Sequence, residues 1–253
     1  MTGLYFSGTG NSKYAVETFL QEYEPGAVAH SIEEKEAAGA VENQEELVVA
    51  YPVQYSSIPK IMWDFVEQNR ELWQGKRIFI IATMGLFSGD GAGVLARLLK
   101  KYGAEIIGGL HLKMPDSIAD EKALKRPLEE NRALVFQAKE KIKIAVHNIK
   151  CGNPPQEGLG MLSRMAGLFG QRLYFGHKTW HYTDKLKINR EKCVGCGTCI
   201  RLCPMDNLSR KDGTIHSAGK CTMCYRCVNE CPKQAVTLLG KRVVEQGRIE
   251  KYM

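Results

Sequence analysis

Hydrophobic residues in the first 150 positions follow two spacings. Short apolar runs predict strands, and apolar residues three or four positions apart predict helices between them. The predicted strands are Leu4–Ser7, Ala27–Ile32, Leu47–Tyr51, Arg77–Thr83 and Glu105–Leu112. The predicted helices are Ser12–Tyr23, Ile58–Asn69, Gly91–Tyr102 and a stretch from Ser117 to about Asn148 that Pro127 interrupts. Strands that alternate with helices predict an α/β fold with parallel strands and helices on both faces of the sheet.

The chain changes character after residue 150. The breaker residues 152–155 mark a predicted boundary. Apolar residues then return at helical spacing, and we expect this stripe to pack against one or both neighbouring units; its members are Met161, Leu162, Met165, Leu168, Phe169 and Leu173. A helix on a membrane surface is the alternative, which Gly160, Gly167 and Gly170 disfavour.

The last sixty residues contain an internal repeat of 28 residues. Each copy has the spacing C-x2-C-x2-C-x3-C-P, first from Cys193 to Pro204 and then from Cys221 to Pro232. Thiolates at this spacing are ligands of 4Fe–4S clusters. The alternative is a pair of zinc sites, which usually consist of Cys-x-x-Cys pairs without the third step and the Cys-Pro ending. Two complete copies therefore favour two iron–sulfur clusters.

Residues 186–240 resemble a bacterial two-cluster ferredoxin, which implies a small α+β fold. In that family the fourth cysteine of each run binds the cluster of the other run. The resemblance thus implies one cluster on Cys193, Cys196, Cys199 and Cys231, and a second on Cys221, Cys224, Cys227 and Cys203. Gly195 and Gly197 have Met223 and Tyr225 as their equivalents in the second copy, so we expect unequal cluster environments. Cys151 stands apart from both runs, and we expect it to be inert.

A second motif follows the first predicted strand. It reads Ser7, Gly8, Thr9, Gly10, Asn11 and Ser12. Glycines permit a tight turn, hydroxyl and N–H groups donate to phosphate oxygens, and a helix begins directly afterwards. No lysine follows, as ATP and GTP loops require, and the G-x-G-x-x-G spacing of dinucleotide sites is absent. The motif favours a monophosphate site, with an ordinary Gly-Thr-rich turn as the alternative.

This hexapeptide resembles the phosphate loop of flavodoxins and has the same place in a five-stranded pattern. The resemblance implies FMN, bound to a doubly wound parallel sheet at the carboxyl ends of its strands. The loops after the third and fourth strands then hold the flavin ring, and their candidate residues are Pro52, Val53, Tyr55, Ser56, Thr83, Gly85, Phe87 and Gly89. Flavodoxins usually carry a glycine beside the flavin N5, where this chain has Ser56 and Ser57.

Charge is distributed unevenly along the chain. Residues 1–152 hold 18 Lys and Arg against 20 Asp and Glu, whereas residues 153–253 hold 17 against 8. The clusters and the FMN phosphate are anionic themselves, so the basic part is a weak indication of nucleic acid, and we predict no nucleic-acid partner. The opposite signs predict that the two units dock on each other through Lys185, Lys187, Arg190 and Lys192. The alternative is that these side chains form a solvated basic surface that contacts nothing.

As a whole, the chain resembles bacterial fusions of a flavodoxin-like domain with a two-cluster ferredoxin. We expect an FMN-binding domain at 1–152, a linker or docking segment at 153–185, and a ferredoxin-like domain at 186–253. The resemblance implies an electron-transfer protein that passes electrons between FMN, two 4Fe–4S clusters and a redox protein partner. The alternatives are a flavoenzyme that reduces a small acceptor at the FMN and a redox-responsive binding protein.

Enzymatic activity is left open by the sequence. We place no histidine in a flavin loop and predict no catalytic residue; the six are His30, His111, His147, His177, His181 and His216. No apolar run is long enough to cross a bilayer, and the N-terminus does not resemble a signal peptide. We therefore predict no transmembrane segment and expect a cytoplasmic protein in an oxygen-poor cell.

Overall fold

The computed structural model describes residues 1–167, 169 and 185–253. Its strands are β1 (Thr2–Tyr5), β2 (Ala29–Ser31), β3 (Glu46–Pro52), β4 (Arg77–Met84), β5 (Glu105–Lys113), β6 (Lys187–Ile188), β7 (Leu208–Lys211), β8 (Thr214–Ser217) and β9 (Val236–Thr237). Its α-helices are α1 (Asn11–Tyr23), α2 (Ala37–Glu42), α3 (Lys60–Gln68), α4 (Gly91–Lys101), α5 (Leu128–Lys150), α6 (Met161–Gly167), α7 (Thr198–Arg201) and α8 (Arg226–Asn229). Short 3₁₀ turns lie at Arg70–Trp73, Lys122–Leu124 and Ile249–Lys251.

The first five strands form one parallel sheet in the order β2-β1-β3-β4-β5. This is the flavodoxin-like order of doubly wound sheets, so the predicted fold class is confirmed. The order reverses beside β1, because β2 lies on one side of it and β3 on the other. The crevice at such a switch point, outside the carboxyl ends of the strands, is the usual place for a ligand.

Apolar side chains cover both faces of this sheet. On one face Leu95 and Trp73 pack with the strands, and on the other Phe19 stacks on Phe79 at 5.2 Å between ring centroids. The central strands read as continuous apolar runs, such as 78–82 of β4, because they are buried on both sides. Burial on two faces fixes the sheet and therefore the position of the loops at its carboxyl edge.

One helix prediction is wrong and one helix was missed. The stretch from Ser117 contains a 3₁₀ turn at Lys122–Leu124 but is not α-helical until Leu128, where α5 begins directly after Pro127. Proline lacks a backbone N–H and fits the start of a helix better than its interior. The residues before it make tertiary contacts, since the Asp120 carboxylate accepts N–H groups of Leu238 and Leu239 at 2.6 and 3.1 Å. Helix α2, whose buried residues are Ala37 and Val41, was not predicted.

Residues 153–167 stay close to the first unit. The carbonyl oxygen of Pro155 accepts the N–H of Gly109 at 2.8 Å, and Gln156 forms a parallel bridge with the same glycine at the edge of β5. The expectation that the apolar stripe is packed fails in its described part, because Met161, Leu162, Met165 and Phe169 are 79, 84, 51 and 66% exposed. Helix α6 instead contacts the unit through Gly167, where an added Cβ would lie 2.6 Å from Cβ of Asp90. Leu168 and Leu173 lie outside the described residues.

The last unit is a small α+β fold. Strands β6 and β9 pair antiparallel, as do β7 and β8. Its core gathers Leu208, Val228 and Leu238, and includes Ala119 from the first unit. The 3₁₀ turn at Ile249–Lys251 returns to the sheet domain, where Ile249 and Tyr252 are buried against α1 and α5. The domain limits given by the sequence remain predictions. Ala119 of the first unit packs in the core of the last unit, and Ile249 and Tyr252 of the last unit pack in the core of the first.

No helix within residues 1–167 and 185–253 combines the length and apolar character that a bilayer span needs.

Candidate cofactor sites

A cavity of about 360 Å³ lies at the carboxyl ends of β1, β3 and β4. Eleven of the fourteen residues predicted to bind FMN line it, and they are Ser7, Gly8, Thr9, Asn11, Ser12, Pro52, Val53, Tyr55, Thr83, Gly85 and Phe87. Sequence reasoning missed the rest of the lining, which comprises Gln54, Met84, Leu86, Pro115, Asp116, Ser117, Ile118, Leu124, Met223, Cys224 and Tyr225. The cavity therefore joins the predicted phosphate and ring loops with the loop after β5 and with the last unit. Flavin binding by these residues stays a prediction.

The predicted phosphate loop is a tight turn that leads into α1. Gly10 has φ of 95° and donates its N–H to Oγ of Ser7 at 3.1 Å. An added Cβ there would lie 2.3 Å from Cγ2 of Ile249, so this position needs glycine for two reasons. The hydroxyl groups of Ser12 and Thr83 are buried and 2.8 Å apart. Thr9 is 5% exposed, lines the cavity and lies two residues before the first residue of α1, whose N-terminal N–H groups have no partner within the helix.

The loop after β3 adopts an unusual backbone conformation. Tyr55 and Ser56 have φ of 49° and 58°, the left-handed region that non-glycine residues seldom enter. Gln54 and Ser57 close the turn with two hydrogen bonds of 3.0 and 2.9 Å. Ser56 is fully buried and lies behind the cavity wall, close to Gly89. In the described structure Gly10, Ser56 and Gly89 thus support the cavity from outside its lining.

Asp116 is the most consequential residue that the sequence analysis missed. It follows β5, and an added Cβ on Gly85 would lie 2.0 Å from its Oδ2, so the carboxyl group stands against the predicted ring loop. Its Oδ1 accepts the N–H of Ile118 at 2.8 Å. Burial raises the pKa of Asp116, although that hydrogen bond and nearby Lys125 and Arg126 oppose the shift. An acidic residue at the carboxyl end of a parallel strand was the signal that could have identified it.

Each set of four cysteines predicted for a cluster lines one small cavity of the last unit. Cys203, Cys221, Cys224 and Cys227 surround one cavity, and Cys193, Cys196, Cys199 and Cys231 surround the other. The fourth cysteine of each run thus crosses to the cavity of the other run. Within the described residues, no three His, Cys, Asp or Glu side chains converge closely enough to hold a single metal ion.

The surroundings of the sulfur atoms fit a cluster. Backbone N–H groups lie 3.3 to 3.4 Å from the sulfurs of Cys203, Cys221 and Cys231 and can donate to thiolates. Burial raises the pKa of the Cys224 thiol to about 12 and also raises the pKa of the Cys227 thiol. Enclosed thiolates of this kind require nearby cations, which the iron of a cluster supplies.

The two cysteine sites lie differently with respect to the predicted flavin cavity. Met223, Cys224 and Tyr225 form part of the cavity wall. An added Cβ on Gly8 would lie 1.9 Å from the carbonyl oxygen of Cys224, so the phosphate loop and this ligand loop are in direct contact. We call the site of Cys203, Cys221, Cys224 and Cys227 the near-flavin site, and that of Cys193, Cys196, Cys199 and Cys231 the outlying site.

Polar contacts fasten the last unit to the sheet domain around this junction. Arg226 donates to both carboxylate oxygens of Glu33 at 2.8 and 2.7 Å and to the carbonyl oxygen of Ser7 at 2.8 Å. The Arg226 and Glu33 side chains are only 19% and 24% exposed. The Gln54 amide donates to the carbonyl oxygen of Thr222 at 2.9 Å, and the Ile249 N–H donates to that of Thr9 at 2.9 Å.

A buried carboxylate anchors the other side of the junction. Asp120 is 4% exposed and accepts the hydroxyl of Tyr225 at 2.9 Å, in addition to the two N–H groups after β9. Burial and this carboxylate both raise the pKa of Tyr225, which keeps the hydroxyl protonated as the donor. The Asn229 amide donates to the carbonyl oxygen of Ser117 at 2.9 Å. The loop after β5 is therefore shaped by the last unit.

The predicted docking residues are not the ones that make these contacts. Lys185, Lys187, Arg190 and Lys192 are all exposed, and Arg226 with Glu33 is an ion pair that joins the units among the described residues. Opposite charges do attract at the junction, where Arg226, beside the near-flavin site, pairs with Glu33. The alternative from the sequence, a solvated basic surface, fits the exposed positions of Lys187, Arg190 and Lys192 better.

His111 lies closer to the predicted ring loops than the sequence indicated. It belongs to β5, and its Nε2 is 3.1 Å from Oγ of Ser88 in the loop after β4. Burial lowers its pKa, so the ring is neutral near pH 7. His177 and His181 lie outside the described residues.

Comparison with known proteins identifies the last unit of the chain. The family model described as a 4Fe–4S dicluster domain matches residues 185–232. Ferredoxin-3 of Nostoc sp. is 31% identical over 93 residues, which cover 29% of this chain and 94% of that protein. The chain belongs to the ferredoxin family. Because a flavodoxin-like sheet precedes its ferredoxin unit, it is a fusion of the two folds.

Two further comparisons concern larger assemblies and the sheet domain. One component of the Na⁺-translocating ferredoxin:NAD⁺ oxidoreductase complex of Acetobacterium woodii is 38% identical over 52 residues, which cover 20% of this chain and 16% of that component. The Fusobacterium nucleatum flavodoxin bound to flavin mononucleotide superposes with a TM-score of 0.43 and 18% identity, over 60% of this chain and 98% of that one. The ferredoxin unit and the flavodoxin-like sheet together support a role in electron transfer.

Proposed function

We propose that the fusion binds one FMN and two 4Fe–4S clusters and passes single electrons between them and a partner oxidoreductase. The observation that carries this proposal is the shared wall, because Met223, Cys224 and Tyr225 line the same cavity as the phosphate loop. A flavin in that cavity would lie against a ligand loop of the near-flavin cluster. Electrons would then move within one chain, without a diffusing carrier.

FMN is the flavin that the cavity residues fit. The loop from Ser7 to Ser12 offers glycine turns, hydroxyl groups and the positive end of the 13-residue helix α1 to a phosphate. Pro52, Tyr55 and Phe87 offer flat or aromatic surfaces to a ring. Bound FMN accepts electrons in pairs and releases them singly, whereas each cluster carries one.

The protein itself contributes position and exclusion of water. Gly8 lets the phosphate loop contact the Cys224 carbonyl group. The ion pair of Arg226 with Glu33 links the two units beside this contact. Asp116 is the acidic group in the cavity lining whose pKa burial raises, so it can hold a proton beside the ring loop. We assign no catalytic residue, in keeping with an electron carrier rather than a stand-alone enzyme.

The order of centres follows from the same contacts. A cluster held by Cys203, Cys221, Cys224 and Cys227 would lie beside the flavin cavity, because Cys224 and Tyr225 line both cavities, so we propose it as the intermediate carrier. The outlying cluster is then the centre that meets a partner. The similarity to a component of a ferredoxin:NAD⁺ oxidoreductase complex supports a redox protein as that partner, and we place both in the cytoplasm.

A second candidate function is reduction of a small acceptor at the FMN. A cavity of about 670 Å³ shares Met84, Leu86 and Phe87 with the flavin cavity, and its lining also includes His111 and Lys141. A neutral imidazole and a lysine beside a flavin ring would suit an acceptor that takes up a proton. Steady-state assays with small acceptors under anaerobic conditions, on the wild type and His111→Gln, test this function.

Anaerobic purification with iron, sulfide and flavin analysis tests the main proposal. We expect about eight iron and eight sulfide ions per chain, as two 4Fe–4S clusters require, and one FMN. Zinc without sulfide, or a reconstituted protein that takes up no flavin, would contradict it.

A further inference from the structure

The two cluster sites differ in their access to other proteins. At the near-flavin site the sheet domain covers the ligand loop, since Thr222 is 4% exposed and the Cys224 carbonyl group meets Gly8. At the outlying site Cys196 is exposed and its neighbour Val194 is 62% exposed. An outside protein can therefore approach the outlying site from the side of Cys196, whereas the sheet domain covers the Cys224 side of the near-flavin site.

Cations surround the exposed edge of the outlying site. Arg210 donates to the carbonyl oxygen of Gly195. Arg201 donates to the carbonyl oxygen of Cys196 at 3.3 Å and to Oγ1 of Thr198 at 3.2 Å. Lys233 lines the site beside the cysteines, and Lys192 directly precedes the first of them. We call Lys192, Arg201, Arg210 and Lys233 the basic rim.

Within the described residues, the side chains of the basic rim have no acidic side-chain partner. In the part of the chain that the structure describes, no ion pair joins a rim residue to an acidic group. The cations nearer the sheet domain do form ion pairs, since Arg226, Arg248 and Lys251 each pair with a glutamate. The exposed acids Glu191, Asp206 and Asp212 belong to the same unit, but residues 185–253 still hold fourteen Lys and Arg against six Asp and Glu.

We propose that the basic rim is the docking surface for an acidic, one-electron redox protein. Positive charge around the exposed edge steers an acidic surface to it, and Val194 supplies an apolar centre of the kind that protein interfaces use. One electron passes between the partner's redox centre and the outlying cluster, so one is oxidised and the other reduced, with no bond or proton transferred. This inference rests on the proposed function, which makes the outlying cluster the outer end of the path.

Two haem proteins of opposite charge serve as probes. The reduced fusion is mixed with oxidised cytochrome b5, an acidic one-electron acceptor, or with oxidised cytochrome c, a basic one. Salt is raised from about 0.01 M to about 1 M, over which the Debye length falls from about 30 Å to about 3 Å. We expect the second-order rate with cytochrome b5 to fall by at least about tenfold, and the rate with cytochrome c to rise or stay level.

Matched charge reversals locate the effect. In Lys192→Glu/Lys233→Glu we expect a loss of about tenfold in the low-salt rate with cytochrome b5 and a gain with cytochrome c. The control is Lys100→Glu/Lys139→Glu, which changes the net charge equally at exposed positions of the sheet domain and should keep most of the wild-type rate. Arg201 and Arg210 are left unchanged because they bind the backbone of the ligand loop.

The outcome separates docking from the proposed function. A rate with cytochrome b5 that is insensitive to salt, or equally reduced by both double variants, would overturn the docking surface. Oxidation of the flavin follows in the same experiment as a separate phase. If docking is salt-dependent at the basic rim but the flavin is never oxidised by way of the clusters, the docking surface stands and the internal path fails.

Discussion

Gly8→Ala should separate the two units at the point where the flavin cavity meets the ferredoxin unit. The new Cβ would lie 1.9 Å from the carbonyl oxygen of Cys224 and 3.0 Å from its carbon. Ordinary contact begins near 3.4 Å, so one of the two backbones must move by about 1.5 Å. Overpacking against a backbone group costs about 1–3 kcal/mol.

Gly39→Ala is the matched control, because an added Cβ at that position of α2 meets nothing within 4 Å. A helical Gly-to-Ala change should raise stability by about 0.5–1 kcal/mol. Urea unfolding of the holoprotein, followed by tryptophan fluorescence and cluster absorbance, should show a midpoint lowered by about 0.5–1 M for Gly8→Ala alone. The flavin-to-cluster electron-transfer rate should fall with it. If Gly8→Ala keeps both the wild-type midpoint and the wild-type rate, the units do not meet at Cys224 as described.

Three further predictions concern the cofactors. Cys203→Ser should damage the near-flavin cluster and Cys231→Ser the outlying one, because each fourth ligand crosses between runs; EPR and iron analysis identify the cluster lost, and loss of the same-run cluster would refute the crossing. FMN should bind the apoprotein at least about tenfold more tightly than riboflavin, since the phosphate contributes more than about 1.4 kcal/mol, and equal affinities by fluorescence titration would rule out the phosphate loop. Burial already raises the pKa of Asp116, and an electron on the adjacent flavin would raise it further. Proton uptake then makes the flavin potential more negative as pH rises, by at most about 59 mV per pH unit for this group. Asp116→Asn should remove that part of the slope in anaerobic potentiometry, and an identical slope in both proteins would exclude Asp116.

Features fixed by local sequence were predictable. Short apolar runs indicated the five strands, and burial of β3 and β4 on both faces explains why their runs were continuous. The cysteine spacing was equally informative, because a cluster restricts which side chains can reach it. The crossing of Cys203 and Cys231 was implied by the resemblance to two-cluster ferredoxins, and each of these cysteines lines the cavity of the other run.

Features that depend on contacts between the units were not predictable. Residues 117–127 carry helical periodicity, but Asp120 binds Tyr225 and the chain after β9 instead, and α5 begins only after Pro127. The contact between Ile249 and the phosphate loop could not be predicted, because no sequence motif marks it. It is formed by the Ile249 N–H, which donates to the carbonyl oxygen of Thr9. The predicted docking residues, Lys185, Lys187, Arg190 and Lys192, make none of the junction contacts described above. Net charge predicts the sign of an interaction between two units but not which residues form it.

The central claim is that electrons pass between FMN and the near-flavin cluster within one chain. Flash reduction of the anaerobic holoprotein tests it directly when the flavin and cluster signals are followed over a range of protein concentrations. The account predicts a first-order rate that is independent of concentration. It also predicts that the rate survives in Cys196→Ser, which targets the exposed ligand of the outlying site, and is lost in Cys221→Ser, which targets the near-flavin site. A rate that scales with protein concentration, or one that is lost in Cys196→Ser and kept in Cys221→Ser, would contradict it.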